Sequence, residues 1–183
     1  MRMVISYSTS NARWRDRLRS FLAPIEAGKV LTELWDRGCL QAGQNTDAEI
    51  SAAFRRADLA LVLISASYLA DKTLMQQELP HLLNERRRRG LTLIPVILSP
   101  CLWECVPELK ALTPIPSDGS PLSLAQSVEA ALHQAASEIS AHASRWHRAR
   151  LTSQGPVGFL PASAGVDSSN QETIITRPDE LPT

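Results

Sequence analysis

Three short apolar runs constrain what this chain can fold into: "RMVISY" (Arg2 to Tyr7), "LALVLIS" (Leu59 to Ser65) and "LTLIPVIL" (Leu91 to Leu98). Each has the length of a strand, is almost unbroken in hydrophobicity, and is bounded by polar or turn residues. That pattern belongs to strands covered on both faces. Between the runs, apolar residues recur every three or four positions instead. In "NARWRDRLRSFLAPIEAG", Trp14, Leu18, Phe21, Leu22 and Ile25 form one helical stripe, with Ser10 or Asn11 as its cap and Gly28 as its stop. "NTDAEISAAFRRAD" aligns Ile50, Ala53, Phe54 and Ala57. "DKTLMQQELPHLLNERRRRG" turns Leu79, Leu82 and Leu83 inward and ends in arginines before Gly90. Pro80 either kinks that helix or marks its start.

Two weaker segments complete the pattern. "VLTELW" (Val30 to Trp35) alternates as an edge strand would, and "LTPIP" (Leu112 to Pro116) suits a fifth strand that its prolines confine to an edge. A last helix is expected from about Pro121 to Arg148, with Leu124, Val128, Leu132, Ala135 and Ile139 as its stripe. Strands alternating with helices imply right-handed crossovers and a parallel sheet. The expected class is α/β: a flavodoxin-like, doubly wound, five-stranded parallel sheet of order 2-1-3-4-5, flanked by helices. This domain spans residues 1–149. Residues 150–183, rich in Ser, Thr, Pro and Gly without periodicity, read as a disordered tail or linker.

Charge narrows the partners. The 183 residues carry 19 basic and 19 acidic side chains, so bulk electrostatics draw the chain to neither nucleic acid nor membrane. The N-terminus turns polar too soon for a signal peptide, and no apolar run approaches the ~20 residues of a membrane span. A cytoplasmic protein is expected. Cys39, Cys101 and Cys105 form no disulfide framework, "CLWEC" has no second pair or nearby histidine, and no metal site is expected.

In sheets of this class, ligands bind beyond the carboxyl ends of the strands, where the strand order reverses. Ser6, Tyr7, Ser8 and Thr9 follow strand one there, and Ser65 to Tyr68 follow strand three. The loop "WDRGCLQAGQN" (Trp35 to Asn45) lies beside them. The usual tenants are missing: there is no G-x-G-x-x-G, no Walker loop, no acidic pair closing strand one, and no G-x-S-x-G elbow. Hydroxyls, aromatic rings, Asp36 and the carboxylate of Glu78 remain.

"MVISYSTSNARW", "LWDRGCLQAG", "ADLALVLISASYLADKTLMQQEL" and "LIPVIL" resemble the successive boxes of a bacterial Toll/interleukin-1 receptor (TIR) domain, over roughly residues 1–143. Many TIR domains cleave the N-glycosidic bond of NAD, releasing nicotinamide, and some cyclise the remaining ADP-ribose. The resemblance therefore implies an NAD glycohydrolase, with NAD as substrate and no cofactor, acting in bacterial defence against phage. Its catalytic glutamate falls on Glu78. Its substrate-binding positions fall on Tyr7, Ser8, Thr9, Trp35, Asp36, Ser65 and Tyr68, with Leu74 where active enzymes often carry tryptophan. Trp35 is read as pocket wall or core, Ser65 as a ligand contact or a turn cap, and Asp36 as a ribose contact or a tie for its loop. The family also implies self-association, with Gly38, Leu40 and Gly43 in the assembly loop and a sensor domain or sensor protein as trigger. The alternative is a TIR scaffold without chemistry.

Overall fold

The structure, a computed structural model, describes residues 1–153. The reading of the terminal segment as a tail or linker falls, from residue 154 onward, outside the described residues. In chain order the main elements are β1 (Arg2–Tyr7), α1 (Ala12–Ala27), β2 (Glu33–Asp36), α2 (Thr46–Arg56), β3 (Leu59–Ile64), α3 (Ala66–Ala70), α4 (Leu79–Arg89), β4 (Thr92–Ile97), α5 (Pro107–Lys110) and α6 (Val128–Ser153). All strand pairs are parallel, in the order β2-β1-β3-β4. Tyr7 lies beside Leu63, and Ile64 beside Ile97, so the carboxyl ends form one rim.

The expected fifth strand is reduced to a bridge. Ile115 accepts from the Ile97 N–H (2.9 Å) and donates to the Pro95 carbonyl (2.8 Å), and pairing ends there. Pro114 and Pro116 flank it, and neither has an N–H to extend a ladder. Among the described residues the sheet is therefore four-stranded.

Strand alternation divides the core in two. Met3, Ile5, Tyr7, Leu61, Leu63 and Val96 face α1 and α6, meeting Leu18, Leu22, Leu132, Ala135 and Ile139. Val4, Ala60, Val62, Ile64 and Ile97 face the other way, against Ile50, Phe54, Tyr68, Leu79 and Leu82. All six residues of β3 are buried because helices cover both of its faces. The last helix begins at Val128, later than its periodicity suggests. Pro121 precedes a short 3₁₀ turn, Leu122–Leu124, in which Leu122 is buried and Leu124 is 68% exposed. Leu124 thus leaves the apolar stripe on which the sequence places it.

The segment that carries Glu78 departs from a regular helix. Leu74–Glu78 forms a π turn, in which the Leu79 N–H reaches back to the Leu74 carbonyl. Pro80 follows in the first turn of α4, where its missing N–H costs nothing to that helix but leaves the preceding turn one donor short. Wide turns of this kind are frequent at functional sites. At the far end of α4, Gly90 adopts φ +75°, the left-handed cap that a side chain disfavours.

Candidate active site

Alternation along β1 decides which hydroxyl can reach Glu78. Val4 faces α2 and α4, so Ser6 faces the same way, whereas Tyr7 turns toward α1. Ser6 Oγ donates to Glu78 Oε2 at 2.6 Å and lies 3.1 Å from the Tyr68 hydroxyl. Arg37 Nε donates to Glu78 Oε1 at 2.7 Å, and its Nη2 contacts the same oxygen. Glu78 is 4% exposed, yet it lines a cavity of about 200 Å³ together with Arg37, Ser51, Thr73, Gln77 and His81. A buried carboxylate is costly unless its oxygens are bonded, and both oxygens here are. Burial, followed by the nearby Glu78 charge, raises the Tyr68 pKa above its ordinary value, so its O–H stays a donor or acceptor across the physiological range.

The same alternation sends Asp36 to the opposite face. Leu34 packs toward α1 and Trp35 toward the α2 face, so Asp36 turns back to α1. There, Arg15 and Arg19, one helical turn apart, donate to its two oxygens at 2.6 Å each, and the Gly38 N–H adds a third bond at 2.7 Å. Burial opposes ionisation of Asp36, but the bonds from Arg15, Gly38 and Arg19 outweigh it and hold its pKa below the usual carboxylate value. Asp36 therefore ties the loop after β2 to α1 and does not face the Glu78 cavity.

Gly38 has a steric role at this point. A Cβ there would lie 2.6 Å from Arg15 Nη1 and 2.8 Å from Asp36 Oδ1. Gly38→Ala is expected to break one of those bonds and cost about 1–3 kcal/mol, read as a lower thermal midpoint. Gly43, at φ +88°, stands in open space, and Leu40 is half-buried.

The remaining predicted residues divide by location. Ser65 caps α3 by accepting the Tyr68 N–H (3.1 Å) and donates to Asn11 Oδ1 (2.7 Å), to which Ser67 also donates. Ser8 is buried and 2.9 Å from Ser10, while Thr9 is exposed. The Tyr7 ring lies under the Arg15 guanidinium at 4.9 Å, and burial raises its pKa. Trp35 packs partly buried against the core on the Glu78 side. Leu74 is fully buried in that core and does not line the cavity. The structure thus joins Ser6, Tyr68 and Glu78 directly, sets Ser65 in a neighbouring hydroxyl cluster, and takes Asp36 and Leu74 elsewhere.

A larger groove of about 800 Å³ runs along the edge of β4 where Ile115 leaves the sheet, but neither Glu78 nor the hydroxyl cluster lines it. Among the described residues, no group of three His, Cys, Asp or Glu is placed to hold a metal, and no helix is long and apolar enough to cross a membrane.

The TIR domain family model matches residues 3–138. The chain belongs to the TIR domain family. It is 27% identical over 162 residues to the uncharacterized protein y4lF of Sinorhizobium fredii (strain NBRC 101917 / NGR234), covering 88% of this chain. The chain spans about half (49%) of the length of that curated relative. The TIR domains of the activated Roq1 resistosome directly recognizing the pathogen effector XopQ align with a TM-score of 0.46 and 14% identity, over 83% of this chain and 98% of theirs.

Four residues of this TIR domain's site escape a reading by motif. Arg37 is hidden because it stands in a loop read for Trp35, Asp36, Gly38, Leu40 and Gly43, with no role given to its arginine. Arg15 and Arg19 are spaced by four on α1, which marks a shared face but not the acid that face meets. His81 follows Glu78 by three residues and therefore lines the same cavity, packing edge-on to Phe54 at 5.4 Å. That last spacing was available in the sequence.

Proposed function

We propose that this TIR domain is an NAD glycohydrolase in which Glu78 carries the chemistry. The observation that supports the reading is a carboxylate buried among Ser6, Tyr68 and Arg37 that nonetheless borders a cavity near the carboxyl rim of the sheet.

The bond from ribose C1′ to a cationic nicotinamide is already activated. As it breaks, its electron pair neutralises the ring, so departure needs no general acid. The sugar passes through an oxocarbenium-like state. A fixed carboxylate in a site of low dielectric stabilises that developing positive charge more than it stabilises the ground state. Water then attacks C1′ and loses a proton to give ADP-ribose, or an adenine nitrogen of the same molecule attacks to give a cyclic isomer. NAD is substrate, and the chemistry calls for no cofactor.

At about 200 Å³ the cavity is smaller than the ~300–1,000 Å³ usual for ligand pockets. It accommodates one end of a dinucleotide, with the rest lying over the loop after β2. This supports a site completed by assembly, in which Gly38, Leu40 and Gly43 meet a second copy after a sensor domain or sensor protein acts. In this reading the protein is an effector of bacterial defence against phage, working in the cytoplasm.

One observation favours the scaffold reading instead. Both Glu78 oxygens are bonded within the protein, as in a structural ion pair. Concentrated protein incubated with NAD and a crowding agent separates the two readings. Nicotinamide released by the wild type and absent with Glu78→Ala is the expected chromatogram, whereas filaments with no nicotinamide from either protein would favour the scaffold.

A further inference from the structure

Arg37 stands where an inhibitor of this chemistry would stand. It begins the short 3₁₀ turn after β2, and Asp36, extended at φ −150°, sends its own side chain to α1 and the following residue to the Glu78 side. The turn is fixed from behind by Arg15 and Arg19 on Asp36, and by the Asp36 bond to the Gly38 N–H. Both contacting nitrogens of Arg37, Nε and Nη2, converge on Oε1 of Glu78, while Oε2 is held by Ser6. A guanidinium in that position cancels the charge that an oxocarbenium-like state requires.

Two further observations show how the pair can open. The Arg37 side chain is 29% exposed and Glu78 only 5%, so the arginine can exchange partners without being stripped of water, and the acid cannot. Among the described residues lining the cavity, Arg37 is also the one arginine or lysine, beside Asp47, Glu78 and His81. An anionic group entering there meets no other permanently cationic side chain of the lining. A dinucleotide of the proposed kind carries both charges: a cationic pyridine on its ribose, and a diphosphate. The first complements Glu78 and the second complements Arg37. Planar guanidinium groups bind phosphate oxygens as readily as carboxylates.

We propose that Arg37 is a two-position selector for diphosphate-bearing substrates. In the empty domain it is paired with Glu78 and keeps the acid silent. When the substrate enters, its diphosphate takes the guanidinium, and the freed Glu78 faces the ribose. The inference rests on the glycohydrolase reading for the identity of the substrate, but the diphosphate contact can be measured without cleavage. A substrate without phosphate would have no means of opening the pair.

The test compares wild type, Arg37→Gln and Arg37→Lys, full chain, under crowding, on NAD and on nicotinamide riboside, which has the same glycosidic bond and no phosphate. Arg37→Gln is expected to lower kcat/KM on NAD about tenfold, as expected for a lost charge-assisted contact, and to raise it on the riboside. Arg37→Lys should recover part of the loss on NAD. Equal losses on both substrates would indicate a damaged loop and overturn the inference, as would unchanged kcat/KM on NAD. Calorimetric titration with ADP-ribose supplies the independent readout: wild type binds, and Arg37→Gln binds about tenfold more weakly. No binding by wild type, or equal binding by both, overturns the inference. If ADP-ribose binds through Arg37 while neither substrate releases nicotinamide, the glycohydrolase reading falls and the diphosphate contact stands. If NAD is cleaved with no sensitivity to Arg37, the reverse holds.

Discussion

Glu78→Gln is expected to reduce nicotinamide release about 10²–10³-fold, as when a preorganised electrostatic group is removed from other active sites. Glutamine preserves the shape of the side chain and keeps an oxygen that can accept from Ser6, 2.6 Å away in the wild type. It removes only the charge. Arg37, partly exposed, can turn to water, so the cost to folding should be close to that of one altered hydrogen bond, about 1–2 kcal/mol. The informative result is the separation of the two effects: a melting curve moved by a few degrees, and turnover lost. Glu78→Ala should be no less defective. Activity retained by Glu78→Gln would mean that the carboxylate's charge is not what the reaction uses.

The largest effect on stability belongs to Asp36. It is fully buried, and Asp36→Asn leaves Arg15 and Arg19 without their shared acid. Breaking a buried pair by removing one partner typically costs ~3–5 kcal/mol. Arg19 is one-third exposed and Arg15 also lies 2.9 Å from Asp16, so the low end, about 3 kcal/mol, applies. For a domain of this size that lowers the melting midpoint by roughly 6–12 °C. The effect has a definite pH dependence. The pKa of Asp36 is depressed in the folded state, so its contribution is fully present above the unfolded value of about 3.9 and is lost as pH falls through the lower, folded value. Melting curves of wild type and Asp36→Asn should differ by a constant amount from pH 5 to 7, and the gap should begin to narrow as pH falls below about 4 toward the folded value. A gap that stays constant as pH falls below about 4 would show that the asparagine disrupts packing and does not act through charge.

These two acids also show what the sequence reveals and where it stops. The strands of this TIR domain were legible because apolar runs of strand length seldom arise otherwise, but which way Ser6 and Tyr7 face followed only from the packing of β1. The same rule separates Trp35 from Asp36 once β2 is known to end at residue 36. Arg15 and Arg19 are legible as one helical face, but their partner is 17 to 21 residues away and follows from packing of α1 on the sheet, which no local pattern encodes. The fifth strand failed for a local reason, since Pro114 and Pro116 leave Ile115 as its one bridging residue. Leu124 failed for another: the periodicity runs through a 3₁₀ turn before the helix begins. At the site, Glu78 was reached by motif, but its partners were not. Ser6 depends on strand direction, Arg37 on the turn that Asp36 holds, and the cavity wall of His81 and Gln77 on the π turn and the α4 start that follow from Pro80.

The most direct measurement follows free nicotinamide from NAD labelled in its pyridine ring, with the 183-residue chain over a wide range of concentration. The proposed glycohydrolase, with a site completed by assembly, predicts release that depends on Glu78 and rises more steeply than in proportion to protein. No release at any concentration, in samples where filaments or higher oligomers are present, would contradict it.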